Sequence, residues 1–394
     1  MFSIGPEAAT LPHDGILRRA PLGEGATMAL IPSPCIQNHA ANLLELRNGD
    51  LACVWFGGTQ EGIPDISVWF SRLKKGSDRW SDAVKLSDDP TRSEQNPILF
   101  DAPDGRLWLI WTAQINGRQD TSVVRHRISE DAGMTWGPIE TLIATEGTFV
   151  RHPPVVAPSG VWLLPVFLCR TEPGIAWVGD DDVSAVDISH DNGKTWTRSA
   201  IVPDSLGAVH MDIVPLGGAE MVAFFRSRWA DHVRISRSHD SGMSWGPVEN
   251  TALPNNNSSI QAICLADGRI AMVHNWSSRL NATERRVSLY DEIEDPDAGK
   301  TKKIVPESVR PTAFWGAPRA PMTLSISADQ GRTWTFRWDL ETGDGFCLSN
   351  NSKESKNREL SYPSIHQTSD GRIHVAYTWF RKAIKHLSFL PPST

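Results

Sequence analysis

Residues 189–196 read SHDNGKTW, and they follow a run of alternating apolar residues in SAVDISHDNGKTW (184–196). The same shape returns as SEDAGMTW (129–136), SHDSGMSW (238–245) and SADQGRTW (327–334), and in a degenerate form as SRLKKGSDRW (71–80). Alternation with a period of two marks a strand running into each loop. The Asp of the cue can hydrogen-bond the amides of its own turn, and the Gly supplies a positive φ. The closing Trp is then free to pack between neighbouring units. A turn repeated at spacings of about fifty to ninety residues is the mark of a repeat architecture.

Between the cues lie strand–turn–strand units: NLLELRNGDLACVWFGG (42–58), PILFDAPDGRLWLIWTAQ (97–114), PVVAPSGVWLLPVFLCR (154–170), DIVPLGGAEMVAFFRSR (212–228), AICLADGRIAMVHNWS (262–277) and SIHQTSDGRIHVAYTWF (364–380). Most turn through a Gly-containing tetrapeptide, a hairpin signal. Each is followed by a third strand and, in five of the six, by a loop ending near Trp. Six units of four strands predict an all-β, six-bladed β-propeller, closed in a circle so that few sheet edges stay open. Residues 1–394 then form one domain, with blades at about 36–90, 91–146, 147–204, 205–252, 253–345 and 346–390. The last blade is expected to borrow a strand from MALIPSP (28–34), as a circular clasp.

Composition excludes several classes of function. A net charge of −7 over 394 residues speaks against nucleic acid, since phosphate binding wants a basic face. No run of eighteen apolar residues predicts a membrane-spanning helix. The start, MFSIGPEAATLPHDG, lacks a basic n-region and an apolar h-region, and this predicts a cytoplasmic protein. The five cysteines have no metal-ligand or CxxC spacing, and Cys53, Cys169 and Cys264 lie in apolar runs that predict buried free thiols. No metal and no cofactor are expected, because the histidines follow neither helical nor finger spacing.

The starts of the first strands are unusually polar: His39, Gln95 with Asn96, Arg151 with His152, His210, Ser259 with Gln261, and Tyr362. In a four-stranded blade these starts gather on one face, so six blades aim them into one funnel. S-x-D-x-G-x-T-W resembles the Asp box of the BNR repeat, and nearly the whole chain is similar to a sialidase-superfamily propeller. The resemblance implies that the repeated turns are structural and lie on the face opposite the active site. It further implies a Tyr nucleophile, an exception to two-carboxylate glycosidase chemistry. LSYPSIHQTSDGRIHVAYTW resembles the family's Tyr-bearing segment, which puts Tyr362 at that position. FFRSRW puts Arg226 or Arg228, and the segment before SADQGRTW puts Arg319, among arginines that hold a carboxylate. Asp65 falls near the family's acid/base, with Glu61 as its rival, while Arg151 and His152 are further candidates for binding substrate.

Two positions depart from that pattern. His39 stands where the family has its first arginine, and His210 where it has the glutamate partner of the tyrosine. Imidazole does not reproduce a guanidinium fork on a carboxylate, but a neutral histidine can relieve a tyrosine of its proton. Three functions compete. The first is a retaining exo-glycoside hydrolase for a terminal acidic sugar, in which Tyr362 attacks, His210 assists and Asp65 protonates the leaving oxygen. The second is a uronate-directed polysaccharide lyase with His39 or His210 as base and Tyr362 as acid. The third is a non-catalytic glycan- or protein-binding propeller. For the enzymes the expected partner is an acidic oligosaccharide or glycan. Residues 278–316 interrupt the fifth blade between its second and third strands, so this insertion is expected to overhang the funnel. Arg381, Lys385 and His386 are expected to add positive potential near its mouth.

Overall fold

Each repeated turn leads out of the third strand of a small antiparallel sheet and into its outer strand, and six such sheets stand in a ring. The structure, a computed structural model of the chain, describes residues 1–5, 11–286, 289–290, 293, 308–349 and 352–393. It is an all-β, six-bladed propeller. The innermost strands of the blades begin, in order, at Gln37, Ser93, Thr148, Ala208, Gln261 and Leu360. The sixth blade has three strands of its own, and Thr27–Ile31 pairs with Ala383–Phe389 to complete it. The N-terminal segment thus clasps the ring shut, as expected. Among the described residues no helix is long and apolar enough to cross a membrane.

The core is divided among the junctions between blades. One apolar cluster joins blades 1 and 2 through Val54, Leu99 and Trp111, and another joins blades 2 and 3 through Ile110, Trp162 and Leu164. The remaining junctions are built in the same way. The tryptophan that closes each turn packs into the junction with the preceding blade: Trp136, Trp196, Trp245 and Trp334 for blades 2 to 5, and Trp80 between blades 6 and 1. A fully covered aromatic removes about 150–250 Å² from water, worth roughly 4–6 kcal/mol at 25 cal/mol per Å².

The turns themselves are nearly superimposable in chemistry. Ser189 Oγ donates to Asp191 Oδ1 at 2.9 Å, accepts from Gly193 N at 2.8 Å, and Thr195 Oγ1 donates to Asp191 Oδ2 at 2.6 Å. The other three copies repeat this set. Gly193 has φ 82°, and a Cβ there would stand 2.8 Å from Trp162 and 2.9 Å from Trp108. Glycine is required at this position by conformation and by space.

A second ring of bonds surrounds the axis. Side chains near each inner strand accept backbone N–H groups of the next blade: Asn42 from Leu99 at 2.9 Å, Thr112 from Val150 at 3.1 Å, Asp212 from Ala262 at 2.6 Å, Gln261 from Ile365 at 2.9 Å and Ser364 from Leu43 at 2.9 Å. Between blades 3 and 4 the link is reversed, with Ser184 Oγ donating to the Ala208 carbonyl at 2.8 Å. Cys53 and Cys169 are buried as expected, but Cys264 is exposed. It ends the short inner strand Gln261–Cys264, where side chains already alternate outward.

Candidate active site

Four inner strands carry the same irregularity. Register slips between His39 and Asn42, Gln95 and Ile98, Val209 and Asp212, and Ser361 and Ser364. Inside each bulge one residue is left-handed: Ala40 (φ 60°), Asn96 (49°), His210 (53°) and Tyr362 (50°). A bulge bends its strand and re-aims a side chain, and a non-glycine residue at positive φ carries a conformational cost that the surroundings must offset. The equivalent position therefore holds a different side chain in each blade, and two of these are His210 and Tyr362.

Tyr362 is the hub of the funnel floor. Its ring centroid lies 4.2 Å from that of His39 and 5.7 Å from that of His210. The guanidinium carbons of Arg151, Arg226 and Arg319 stand 5.5, 5.5 and 5.6 Å from it. Arg226 Nη1 donates to the Tyr362 hydroxyl at 2.5 Å, and its Nε donates to Asn257 Oδ1 at 2.7 Å. The same Nη1 lies 3.3 Å from His210 Nε2. A guanidinium only donates, so His210 Nε2 is the acceptor and the ring proton of neutral His210 sits on Nδ1. Burial first, then Arg226, Arg228 and Arg151, hold His210 well below the usual imidazole range. His39 is held equally low by burial and by Arg381, Arg319, Arg151 and Arg226. Both rings are neutral at physiological pH.

Arg319 is anchored by Glu359, whose Oε2 accepts from Arg319 Nη1 at 2.7 Å. Arg381 Nε donates to the other oxygen of Glu359, and its Nη1 donates to Glu61 Oε2 at 2.5 Å. Burial alone would raise the Glu359 carboxyl, but Arg381 and Arg319 overcome it and hold it at about 2. This chain of charges ties the loop after the first hairpin to the sixth blade. Three buried arginines face the tyrosine, and a fourth, Arg381, pairs with the two carboxylates Glu359 and Glu61. Burial lowers Arg226 to about 9 and Arg151 to about 10, and both stay charged at neutral pH. Arg226 Nη2, Arg151 Nη1, His39 Nε2 and His210 Nδ1 are buried polar atoms with no hydrogen-bond partner among the described residues.

The structure thus gathers Tyr362, His39, His210, Arg226, Arg319 and Arg151 into one centre. Arg151 also seals the axis. Its Nη2 donates to the carbonyls of Ala41, Tyr362 and Pro363 at 3.0–3.2 Å, and its Nε donates to Ser259 Oγ at 3.0 Å. Arg228 turns away from the tyrosine, donates to Asp182 from Nε and Nη2 at 2.9 and 2.7 Å, and lies under Trp177 and Trp315. Of the pair in FFRSRW, Arg226 is the one that reaches the tyrosine. His152 faces Asp212 at 3.5 Å in the inner ring, where burial raises the Asp212 carboxyl to about 8. Asp65 is exposed on the first-blade loop and accepts from Thr59 N at 3.1 Å. Glu61, its rival, is buried on Arg381. Lys385 and His386 lie inside the sixth blade, on Glu341 and on His374 with Trp80, away from the mouth.

Sequence reasoning missed Glu359 and Thr378, and it assigned Arg381 only to the mouth. The described part of the insertion lies over the funnel face, as expected. Phe314 N donates to the Arg228 carbonyl at 2.8 Å, Arg310 pairs with Asp181 at 2.6 Å, and the Tyr290 hydroxyl accepts from Gln119 at 3.1 Å. Residues 287–288, 291–292 and 294–307 of the insertion lie outside the described residues.

Residues 49–375 match the family model described as BNR repeat-like domain. The chain belongs to this family. No curated protein matches it in sequence. Among solved structures, a Hadza microbial sialidase is similar, with TM-score 0.65 and 12% identity over 90% of this chain and 66% of its own. The chain therefore spans just under two thirds of that protein. The intramolecular trans-sialidase from Ruminococcus gnavus, in complex with oseltamivir carboxylate, follows at TM-score 0.62 and 12% identity, over 90% of this chain and 94% of its own. An α-L-arabinanase from Penicillium chrysogenum, complexed with arabinobiose, gives TM-score 0.58 and 15% identity over 91% of this chain and 96% of its own. At these identities the likeness is one of fold, and function rests on the site.

Proposed function

We propose that the protein is a sialidase-like exo-glycoside hydrolase that acts on a terminal acidic sugar with Tyr362 as nucleophile. The observation that carries this reading is Arg226 Nη1 on the Tyr362 hydroxyl at 2.5 Å, in a buried centre where Arg226 Nη2 and Arg151 Nη1 have no hydrogen-bond partner among the described residues. Arg226 donates to the oxygen that would attack, and the open donors suit the carboxylate of an anionic sugar. Arg226 and Arg319 hold that carboxylate. Tyr362 Oη attacks the anomeric carbon as its proton passes to water, the glycosidic C–O bond breaks, and Asp65 gives its proton to the leaving oxygen. A water deprotonated by Asp65 then displaces the tyrosine, whose oxygen regains a proton from water, with net retention.

Elimination from a uronate by a histidine base is the weaker reading. His210 Nε2 faces a guanidinium donor, so its lone pair is engaged. The decisive experiment is incubation with a panel of sialosides and uronate-containing oligosaccharides in ¹⁸O-water. Hydrolysis yields a saturated free sugar with one ¹⁸O at the anomeric carbon. An unlabelled product absorbing as an unsaturated uronate would replace this reading with the lyase, and silence across the panel would favour a binding propeller.

A further inference from the structure

His39 has one nitrogen engaged and one without a partner. Its Nδ1 lies 2.8 Å from Thr378 Oγ1, while Nε2 is buried and has no hydrogen-bond partner among the described residues. Thr378 belongs to the second strand of the sixth blade, Ile373–Trp379, where it stands opposite Ser361, the residue before Tyr362. The same hydroxyl accepts the N–H of Ala40, the left-handed residue that follows His39, at 3.1 Å. One oxygen therefore holds both the backbone bulge and the imidazole that precedes it.

The proton count decides what this means. Thr378 Oγ1 has a single hydrogen, and its bond with Ala40 uses it as an acceptor. Among the described residues, the one other polar atom that bonds to it is His39 Nδ1. If Nδ1 carried the ring proton, the Thr378 hydrogen would be buried without an acceptor, at the desolvation cost of an unmade hydrogen bond. If the hydroxyl donates to Nδ1, both the hydroxyl and Nδ1 are satisfied, and only the Nε2–H is left open to a ligand. We infer that Thr378 fixes His39 with its ring proton on Nε2, so that His39 binds an oxygen of the anionic substrate as a donor and does not act as a base.

Thr378 is on this account a positioning residue, acting through His39. The consequence for substrate rests on the anion-binding reading of the centre; the place of the proton does not. His210 reaches the same state by another route, since Arg226 claims its Nε2 and leaves the proton on Nδ1. Two neutral imidazoles thus join Arg226 and Arg151 as donors around Tyr362. This accounts for histidine where a guanidinium is expected: it keeps a donor there without adding a further charge to four buried arginines.

The test reads the proton directly and needs no substrate. Full-length protein labelled with ¹⁵N-histidine is examined by long-range ¹H–¹⁵N correlation, with the His39 signals assigned by their loss in His39→Gln. The expected spectrum shows a neutral ring protonated at Nε2 throughout pH 5–8. Thr378→Val should shift the ring to a mixture of tautomers, and Thr378→Ser should restore the Nε2–H form. Protonation at Nδ1 in the unaltered protein, or titration of His39 within that range, would overturn the inference. With a substrate in hand, His39→Leu should raise KM about ten- to a hundredfold, the worth of one hydrogen bond to a charged group. His39→Gln, which keeps a donor at that place, should be at least about fivefold less impaired. Equal losses in the two would contradict the donor role. Failure of every glycan would remove the proposed reaction and leave the tautomer standing.

Discussion

The two ends of this propeller obey opposite rules. At one end, four turns repeat one set of bonds almost atom for atom, with Ser, Asp, Gly and a Thr or Ser hydroxyl in fixed roles and their side chains paired. At the other, four equivalent bulges hold Ala40, Asn96, His210 and Tyr362, and buried polar atoms of Arg226, Arg151, His39 and His210 have no partner among the described residues. The first pattern is what a ring needs in order to close, because each unit must meet its neighbour in the same way. The second leaves polar atoms in a state that costs stability. Repetition in this molecule marks what holds the fold, and departure from repetition marks what the fold holds in place.

The sharpest way to break that contrast is to alter one residue at each end and compare. Tyr362→Phe removes one oxygen from the funnel floor and should lower kcat on the order of 10³-fold or more with the fold intact, as loss of a nucleophile does. Retained turnover in a folded protein would remove Tyr362 from the chemistry. Glu359→Gln comes next in size. It leaves Arg319 and Arg381 buried with one carboxylate fewer, which should cost about 3–5 kcal/mol in denaturant unfolding. The charge of Glu359 also carries a pH signature. Its folded value of about 2 lies below the ordinary 4.5, so the stability it lends is complete above 4.5 and is lost as pH falls toward 2. The glutamine variant should lack that acid-side loss, and an unchanged acid limb would contradict the pairing.

At the opposite end, Gly193→Ala forces a Cβ against Trp162 and Trp108 at positive φ, and should cost about 1–3 kcal/mol. Activity per folded molecule should stay unchanged; a loss of turnover at full folding would show that the two ends are coupled. The effect of Asp212→Asn is read as a pH dependence. The folded Asp212 carboxyl titrates at about 8 against an ordinary 3.8, so the natural protein loses stability as pH rises from about 4 to 8 and levels off beyond. Asparagine does not titrate, so the variant should gain on the natural protein across that window. A gap that stays constant with pH would place the proton elsewhere.

The ring was legible because its signal is contiguous: eight residues carry a turn, and alternation before them carries a strand. The N-terminal clasp was legible because the sixth unit lacked an outer strand of its own and a short apolar segment before the first unit, Thr27–Ile31, was there to supply it. Tyr362, Arg226 and Arg319 were found through short segments that resemble a known pattern. Glu359 was not, because its partners Arg319 and Arg381 lie 40 and 22 residues away and meet it only when the ring closes. Arg381 was read as a surface charge because nothing local shows that Phe380 and Arg381, both at positive φ, turn its side chain inward onto Glu61 and Glu359. The bulges escaped notice because a slipped register leaves no mark in composition, and Thr378 escaped with them.

The measurement that bears most directly on the account is a paired assay, in which each acidic glycan is offered beside the same glycan with its carboxylate reduced to the neutral alcohol. The donor-lined centre around Tyr362 predicts turnover of the acidic member alone, and loss of that turnover in Tyr362→Phe. Equal turnover of the acidic and reduced glycans would contradict it.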